Sequence, residues 1–269
     1  MNNMNTYIND IDYNKYKDNP PIQTNLFYYS NKTPLYPGLY ILGGMPSIGK
    51  TTFLNQLCDT LANDLIHTLY FSFREHPDAF IKKSIARIMY QNKCSEDEAL
   101  EKYNNYNKLL YIEDCSNKDF YVPDIIDEVN FIEDYCTPVV IIDSLQDIAI
   151  ADGETIDDVI IRLKQFQMEH NLVMIITSSI KSNSYLKPMS FNSFNESILN
   201  DVADVIWGLQ INVVDTQRYE AIKDKSINSG KYMELTYIKN KFGDVYTYDV
   251  SFYPEHNFYK RYDSPFFNR

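Results

Sequence analysis

Apolar and polar positions alternate along this chain in a way that predicts strands and helices in turn. Residues 39–42 form a short apolar run ending in Gly43-Gly44, which predicts a strand entering a tight turn. Residues 50–63 place Phe53, Leu54, Leu57 and Leu61 on one helical face. Residues 68–73 predict the next strand and 78–89 a helix. Ser95 with Glu98 makes a capping box for a further helix, through residue 103. Residues 109–112 are strand-like, and 123–135 are helical, with Ile125, Ile126, Val129 and Ile132 at helical spacing. Val139, Val140, Ile141 and Ile142 form a continuous β-branched run, as in a strand buried on both faces of a parallel sheet. A helix over 155–169, a buried strand over 172–178 and a strand over 203–210 follow. A polar stretch then leads to residue 231. Residues 233–239 and 246–252 alternate around a turn at Phe242-Gly243-Asp244 and predict antiparallel strands. Together these elements predict an α/β fold: a mainly parallel central sheet flanked by helices, with a C-terminal antiparallel hairpin.

Residues 1–19 are polar, rich in Asn, Asp and Tyr, and aperiodic; they read as an N-terminal arm, mobile or docking. Residues 20–269 suit one large α/β domain, beginning with a connecting stretch to the Pro37-Gly38 turn. At 44% hydrophobic and 23% charged the composition is that of a globular protein. No apolar run approaches the roughly 20 residues that span a bilayer. The N-terminus lacks the basic and apolar regions of a signal peptide, so the expected location is the cytoplasm. Cys58, Cys94, Cys115 and Cys136 are scattered, without a C-x-x-C pair, which argues against a metal site or disulfide framework. A net charge of −12 disfavours a broad nucleic-acid surface, so such binding must come from local basic loops.

The candidate chemistry starts at residues 44–51, GMPSIGKT, which match the G-x-x-x-x-G-K-[ST] phosphate loop between a predicted strand and a predicted helix. Gly44 and Gly49 let the backbone N–H groups of Gly44, Met45, Pro46, Ser47, Ile48 and Gly49 wrap phosphates, proline excepted. The helix N-terminus, with Thr52 in its first turn, adds partial positive charge. Lys50 would reach the β- and γ-phosphates of ATP, and the Thr51 hydroxyl would ligate Mg²⁺. Asp143 ends the 139–142 strand, where an acid beside the phosphates holds Mg²⁺, usually through water. Gln146 reads either as a γ-phosphate sensor or as a plain surface residue.

These residues, taken with their neighbours, resemble the ATPase domain of DnaB-type replicative helicases, within the RecA-like P-loop ATPases. PGLYILGGMPSIGKTTFLNQL, YFSFREHPDAFIKKSIARI, VVIIDSLQDI, ITSSIKSNSY with NESILNDVADVIWGLQ, and YIKNKFGDVYTYDVSFYPEHNFY occur in the family's order, over roughly residues 20–260. The resemblance implies a RecA-like core, ATP hydrolysis between subunits and a ring around single-stranded DNA. Lys50, Thr51 and Asp143 carry over directly.

Three departures qualify it. The family's S-L-E-M glutamate, which polarises the attacking water, falls at Arg74, with Glu75 one place later. Glu75 is then either the base, if a bulge re-aims it, or half of a solvated Arg-Glu pair. The family's Lys-x-Arg pair, which reaches a neighbour's γ-phosphate, reads Lys239-Asn240-Lys241, keeping charge without the bidentate fork. The usual N-terminal helical domain has no counterpart in the short arm. Channel-facing loops of the family map onto Lys181, Tyr185 and Lys187, and onto residues 218–231 with Lys223, Lys225 and Lys231. Three readings stand: an oligomeric, ring-forming motor on single-stranded DNA; a weakly catalytic nucleotide-binding regulator or assembly subunit serving a helicase or replication partner; and a RecA-like ATPase acting on protein.

Overall fold

The computed structural model describes residues 21–24, 33–211 and 230–261. A short antiparallel pair, β1 (Ile22–Thr24) and β2 (Thr33–Leu35), precedes the core. The core runs β3 (Gly38–Gly44), α1 (Lys50–Asn63), β4 (Thr68–Ser72), α2 (Pro77–Asn92), α3 (Glu96–Tyr106), β5 (Leu110–Asp114), α4 (Val122–Glu133), β6 (Val139–Asp143), α5 (Ile156–Glu169), β7 (Val173–Ser179), α6 (Leu199–Val202) and β8 (Val205–Gln210). It closes with β9 (Lys231–Asn240), β10 (Thr247–Tyr253) and β11 (Phe258–Arg261). The nine-stranded sheet has the order β11-β10-β9-β8-β3-β7-β6-β4-β5. Strands β8 through β5 in that order are parallel, and β9, β10 and β11 extend the β8 edge antiparallel.

Strand periodicity sorts the core into two layers. Leu39, Ile41, Phe71, Val140, Ile142, Met174 and Ile176 face one side, against Ile125 and Val129 of α4 and Val159 and Leu163 of α5. Their alternates Tyr40, Leu42, Tyr70, Val139, Ile141, Val173 and Ile175 face the other, against Leu54, Leu57 and Leu61 of α1 and Phe80 of α2. Both faces of the central strands are thus buried, as the 139–142 run required. Each α1 leucine, fully buried, contributes about 1.5–3 kcal/mol. Local chemistry sets the helix starts. Ser95 and Glu98 form the anticipated capping box, Thr155 and Asp158 form another, and Pro77 opens α2 behind the His76 cap.

The structure adds β1, β2, α6 and β11 to the elements expected from the sequence; each is four residues or fewer, too short to show a period. Contacts specify β11 instead. Gln56 of α1 donates to the Tyr259 carbonyl at 2.8 Å and accepts from its N–H at 2.7 Å. Among the described residues no helix is long and apolar enough to cross a membrane.

A polar network buried between α1 and α2 holds the same corner. Arg87, 2% exposed, pairs with Asp59 and donates to Asn55 Oδ1 and to the Asn257 carbonyl, each at 2.8 Å. Ser84 donates to Asp59 Oδ1 at 3.0 Å. Burial pushes the Asp59 pKa up in spite of Arg87, so the carboxylate relies on these partners. Arg87→Ala is expected to cost about 3–5 kcal/mol in urea denaturation, because it strands a buried carboxylate. Arg87→Met combined with Asp59→Leu should recover most of that loss. A single-mutant loss under about 1 kcal/mol would refute this role for the network.

Candidate active site

The carboxyl ends of β3, β4, β6 and β7 lie side by side, the edge where open α/β sheets bind ligands. The loop from β3 enters α1 through Gly49, whose φ of 108° is open to glycine and strained for other residues. A Cβ at Gly49 would also lie 2.2 Å from the Tyr259 hydroxyl, and one at Gly44 would lie 2.9 Å from the Leu209 carbonyl oxygen. Both glycines of the motif are therefore demanded by space. The Tyr259 hydroxyl donates toward the Ile48 and Gly49 carbonyls at 3.4 and 3.2 Å, and its ring stacks on Phe252. The C-terminal strand thereby braces the loop from behind.

Lys50 folds over this loop, donating to the carbonyls of Gly44 at 2.9 Å and Met45 at 3.2 Å. Burial pulls its pKa down to about 8; Asp143 opposes that shift and the Arg74 charge adds to it. The first turn of α1 carries no acidic residue, so its N-terminal field stays positive.

Asp143 gathers three hydroxyls. Thr51 donates to Oδ2 at 2.6 Å, Tyr70 to Oδ2 at 2.8 Å and Thr177 to Oδ1 at 2.5 Å. Strand parity explains the convergence: Asp143, Tyr70 and Thr177 all continue the face that packs on α1. Burial, and after it the Asp143 charge, push the Tyr70 phenol well above its ordinary pKa, so it remains a proton donor. Tyr70 and Thr177 were absent from the expected site. The same period-2 rule would have flagged them, had the neighbours of β6 been known.

The structure gives Arg74 and Glu75 separate partners. Glu75 does not remain a solvated mate of Arg74: Lys83 of α2 holds both its carboxylate oxygens, with Nζ 2.6 Å from Oε2. Its charge still reaches Tyr70. Arg74 instead pairs with Asp147, in the turn after β6. Gln146 is not a free surface side chain: it donates to Ser178 Oγ at 3.0 Å and accepts from the Ser179 N–H at 3.2 Å, at the end of β7.

Lys239 and Lys241 lie elsewhere. Lys239 donates to the Asn200 carbonyl at 2.8 Å, and burial lowers its pKa. Lys241 pairs at 2.9 Å with Asp204, which also accepts from the Leu39 N–H and from Lys164. Asp204 ties Lys241 to Leu39 at the start of β3, five residues and so about 17 Å along the strand from Gly44, while Lys239 is in register through Ile206 with Ile41. Lys181, Tyr185, Lys187 and Lys231 are on the loop's side of the sheet. Ser184, Leu186 and Lys187 share a small cleft with Met45 and Ile48, and β9 begins beyond the carboxyl end of β8. Tyr185 packs partly against the α4–α5 core layer, Lys181 donates to the Asn192 carbonyl at 3.2 Å, and Lys187 and Lys231 are exposed. Lys223 and Lys225 lie outside the described residues, as do residues 1–19.

No protein-family model matches the chain, and no curated protein matches it by sequence. Solved structures do match. One, described as an ATPase domain, superposes with a TM-score of 0.70 at 16% identity, covering 93% of this chain and 96% of that one. A DnaB-like replicative helicase, described with its interactions with primase, gives 0.67 at 21% identity over 84% of this chain. This chain spans 59% of that helicase's length. A KaiC-like protein from the hyperthermophilic archaeon Pyrococcus horikoshii gives 0.61 at 16% identity, with 90% and 98% covered. The chain therefore has the RecA-like fold of P-loop ATPase domains, in the form shared by DnaB-like helicases and KaiC-like proteins.

Proposed function

We propose that this chain is an ATP-binding ATPase module that works as a DnaB-helicase-like motor on single-stranded DNA, in a homo-oligomer. The observation that carries the reading is the convergence of Lys50, Thr51 and Asp143 at the mouth of a glycine-shaped loop. The donor set fits a magnesium triphosphate. Lys50 and the α1 N-terminus would hold phosphate, while the Thr51 hydroxyl and the Asp143 carboxylate are hard oxygen ligands 2.6 Å apart. Bound Mg²⁺ would supply neutralisation of phosphate charge. Tyr70 and Thr177 orient the Asp143 carboxylate toward α1.

The placement of Lys239 and Lys241 supports an oligomer. Lys241 is held at the start of β3, away from its own loop, and Lys239 is held by the Asn200 carbonyl, so a phosphate contact from this pair fits a second subunit better than their own. Lys181, Tyr185, Lys187 and Lys231, with Lys223 and Lys225, are the proposed contacts to DNA. A replication-protein partner belongs to the same reading, by likeness to the helicase described with primase.

The Lys83–Glu75 pair favours a second reading, a regulator or assembly subunit with little turnover. With both oxygens engaged by the Lys83 ammonium, the Glu75 carboxylate is tied to α2 and not positioned to orient a water.

Steady-state ATP hydrolysis with Mg²⁺, with and without single-stranded DNA, separates the two. The motor predicts DNA-stimulated turnover that Lys50→Ala abolishes; binding without turnover would select the regulator. The lowered Lys50 pKa adds a pH prediction. Phosphate needs the protonated ammonium, and the free site loses that proton as pH rises through about 8. ATP affinity by calorimetry should therefore hold below pH 8 and weaken above it, by up to about tenfold per pH unit. Affinity flat to pH 9.5 would show that Lys50 stays charged in the free protein.

A further inference from the structure

Position 74 changes what this site can do. Arg74 follows β4 in step with Tyr70 and Ser72, the residues of that strand on the α1 side, and β4 is bonded to β6 with Ser72 opposite Asp143. Its guanidinium meets Asp147 fork to fork, Nε to Oδ2 at 2.7 Å and a terminal nitrogen to Oδ1 at 3.0 Å. Ser144 also donates to Asp147 Oδ2, at 2.5 Å. The Arg74 side chain is 61% exposed, so water screens the pair and it is cheap to open. Arg74 is also near enough to Lys50 for the two charges to repel.

We propose that Arg74 reads the terminal phosphate in cis, exchanging the Asp147 carboxylate for the γ-phosphate of a bound nucleoside triphosphate. This rests on the nucleotide site proposed above. A guanidinium cannot accept a proton from water, so position 74 supplies binding and not base catalysis. Its planar fork matches phosphate oxygens as it matches the Asp147 carboxylate. Lys50 is one cation against the charge of a triphosphate tail, and Arg74 adds a second from the same chain. A diphosphate presents no γ-oxygens and leaves the Arg74–Asp147 pair closed. Asp147 ends the Leu145–Asp147 turn, and Gln146 in that turn is bonded to the end of β7. Opening the pair therefore transmits the nucleotide state to β7 and to the 180–187 loop that follows it.

The test is equilibrium calorimetry on the full chain with Mg²⁺, using the non-hydrolysable triphosphate AMP-PNP and, separately, ADP. Arg74→Gln should weaken AMP-PNP roughly ten- to a hundredfold and leave ADP within about twofold. Arg74→Lys should restore part of the loss. Asp147→Asn, which frees the guanidinium, should tighten AMP-PNP or leave it unchanged. Equal loss for both nucleotides in Arg74→Gln, no loss for either, or an Asp147→Asn defect matching that of Arg74→Gln would overturn the proposal. Wild-type protein that binds neither nucleotide, or binding that Lys50→Ala does not touch, would overturn the nucleotide site itself. Lys50-dependent binding with an unchanged triphosphate preference in Arg74→Gln would overturn the role of Arg74 alone.

Discussion

The carboxylate of Asp143 is where the architecture of this molecule closes. It takes hydroxyl hydrogen bonds from Thr51 at the start of α1, Tyr70 on β4 and Thr177 on β7. Three chain segments, distant in sequence, are thereby fixed to one edge of the sheet. A half-buried carboxylate must be satisfied by hydrogen bonding, and here the groups that satisfy it also place the phosphate loop beside β6. The same requirement fixes parity: with Asp143 turned toward α1, Val139 and Ile141 must pack on α1, and Val140 and Ile142 on α4 and α5. The order of the core and the shape of the site follow from one constraint.

Around that point the charges fall into separate zones. Lys50 folds over the loop, Arg74 pairs with Asp147, Lys83 of α2 pairs with Glu75, Lys241 serves Asp204 and Lys239 serves α6. Each of these cations has a defined anion or carbonyl within its own chain. The proposed contact from Lys241 to a neighbour's phosphate would need it to exchange one partner for another. Exchange is inexpensive for that exposed lysine and costly for Asp204, 7% exposed, which also holds Leu39 and Lys164.

Features encoded by adjacent residues were legible from the sequence. The Ser95–Glu98 capping box, the 50–63 helix with its leucine face and the phosphate loop each depend on neighbours a few positions away, and each formed where the pattern placed it. The β-branched run ending in Asp143 gave the buried strand and its acid. Strand β11 was invisible because its register is set by Gln56, far upstream, and by Phe252 stacked on Tyr259. The displacement of glutamate from position 74 to 75 was plain, but the sequence carried no sign that Lys83 would claim the carboxylate or that Asp147 would claim the arginine.

By itself, then, the sequence determined an α/β alternation with a phosphate loop and an acid-tipped strand, because hydrophobic period and turn chemistry act through local backbone geometry. Only the tertiary structure decided which strands became neighbours, and so which side chains share the site. Pairing in a parallel sheet joins residues separated by whole helices. No local pattern records that Tyr70 and Thr177 flank Asp143, that Tyr259 braces the loop, or that Lys241 pairs with Asp204 and Lys239 with the Asn200 carbonyl.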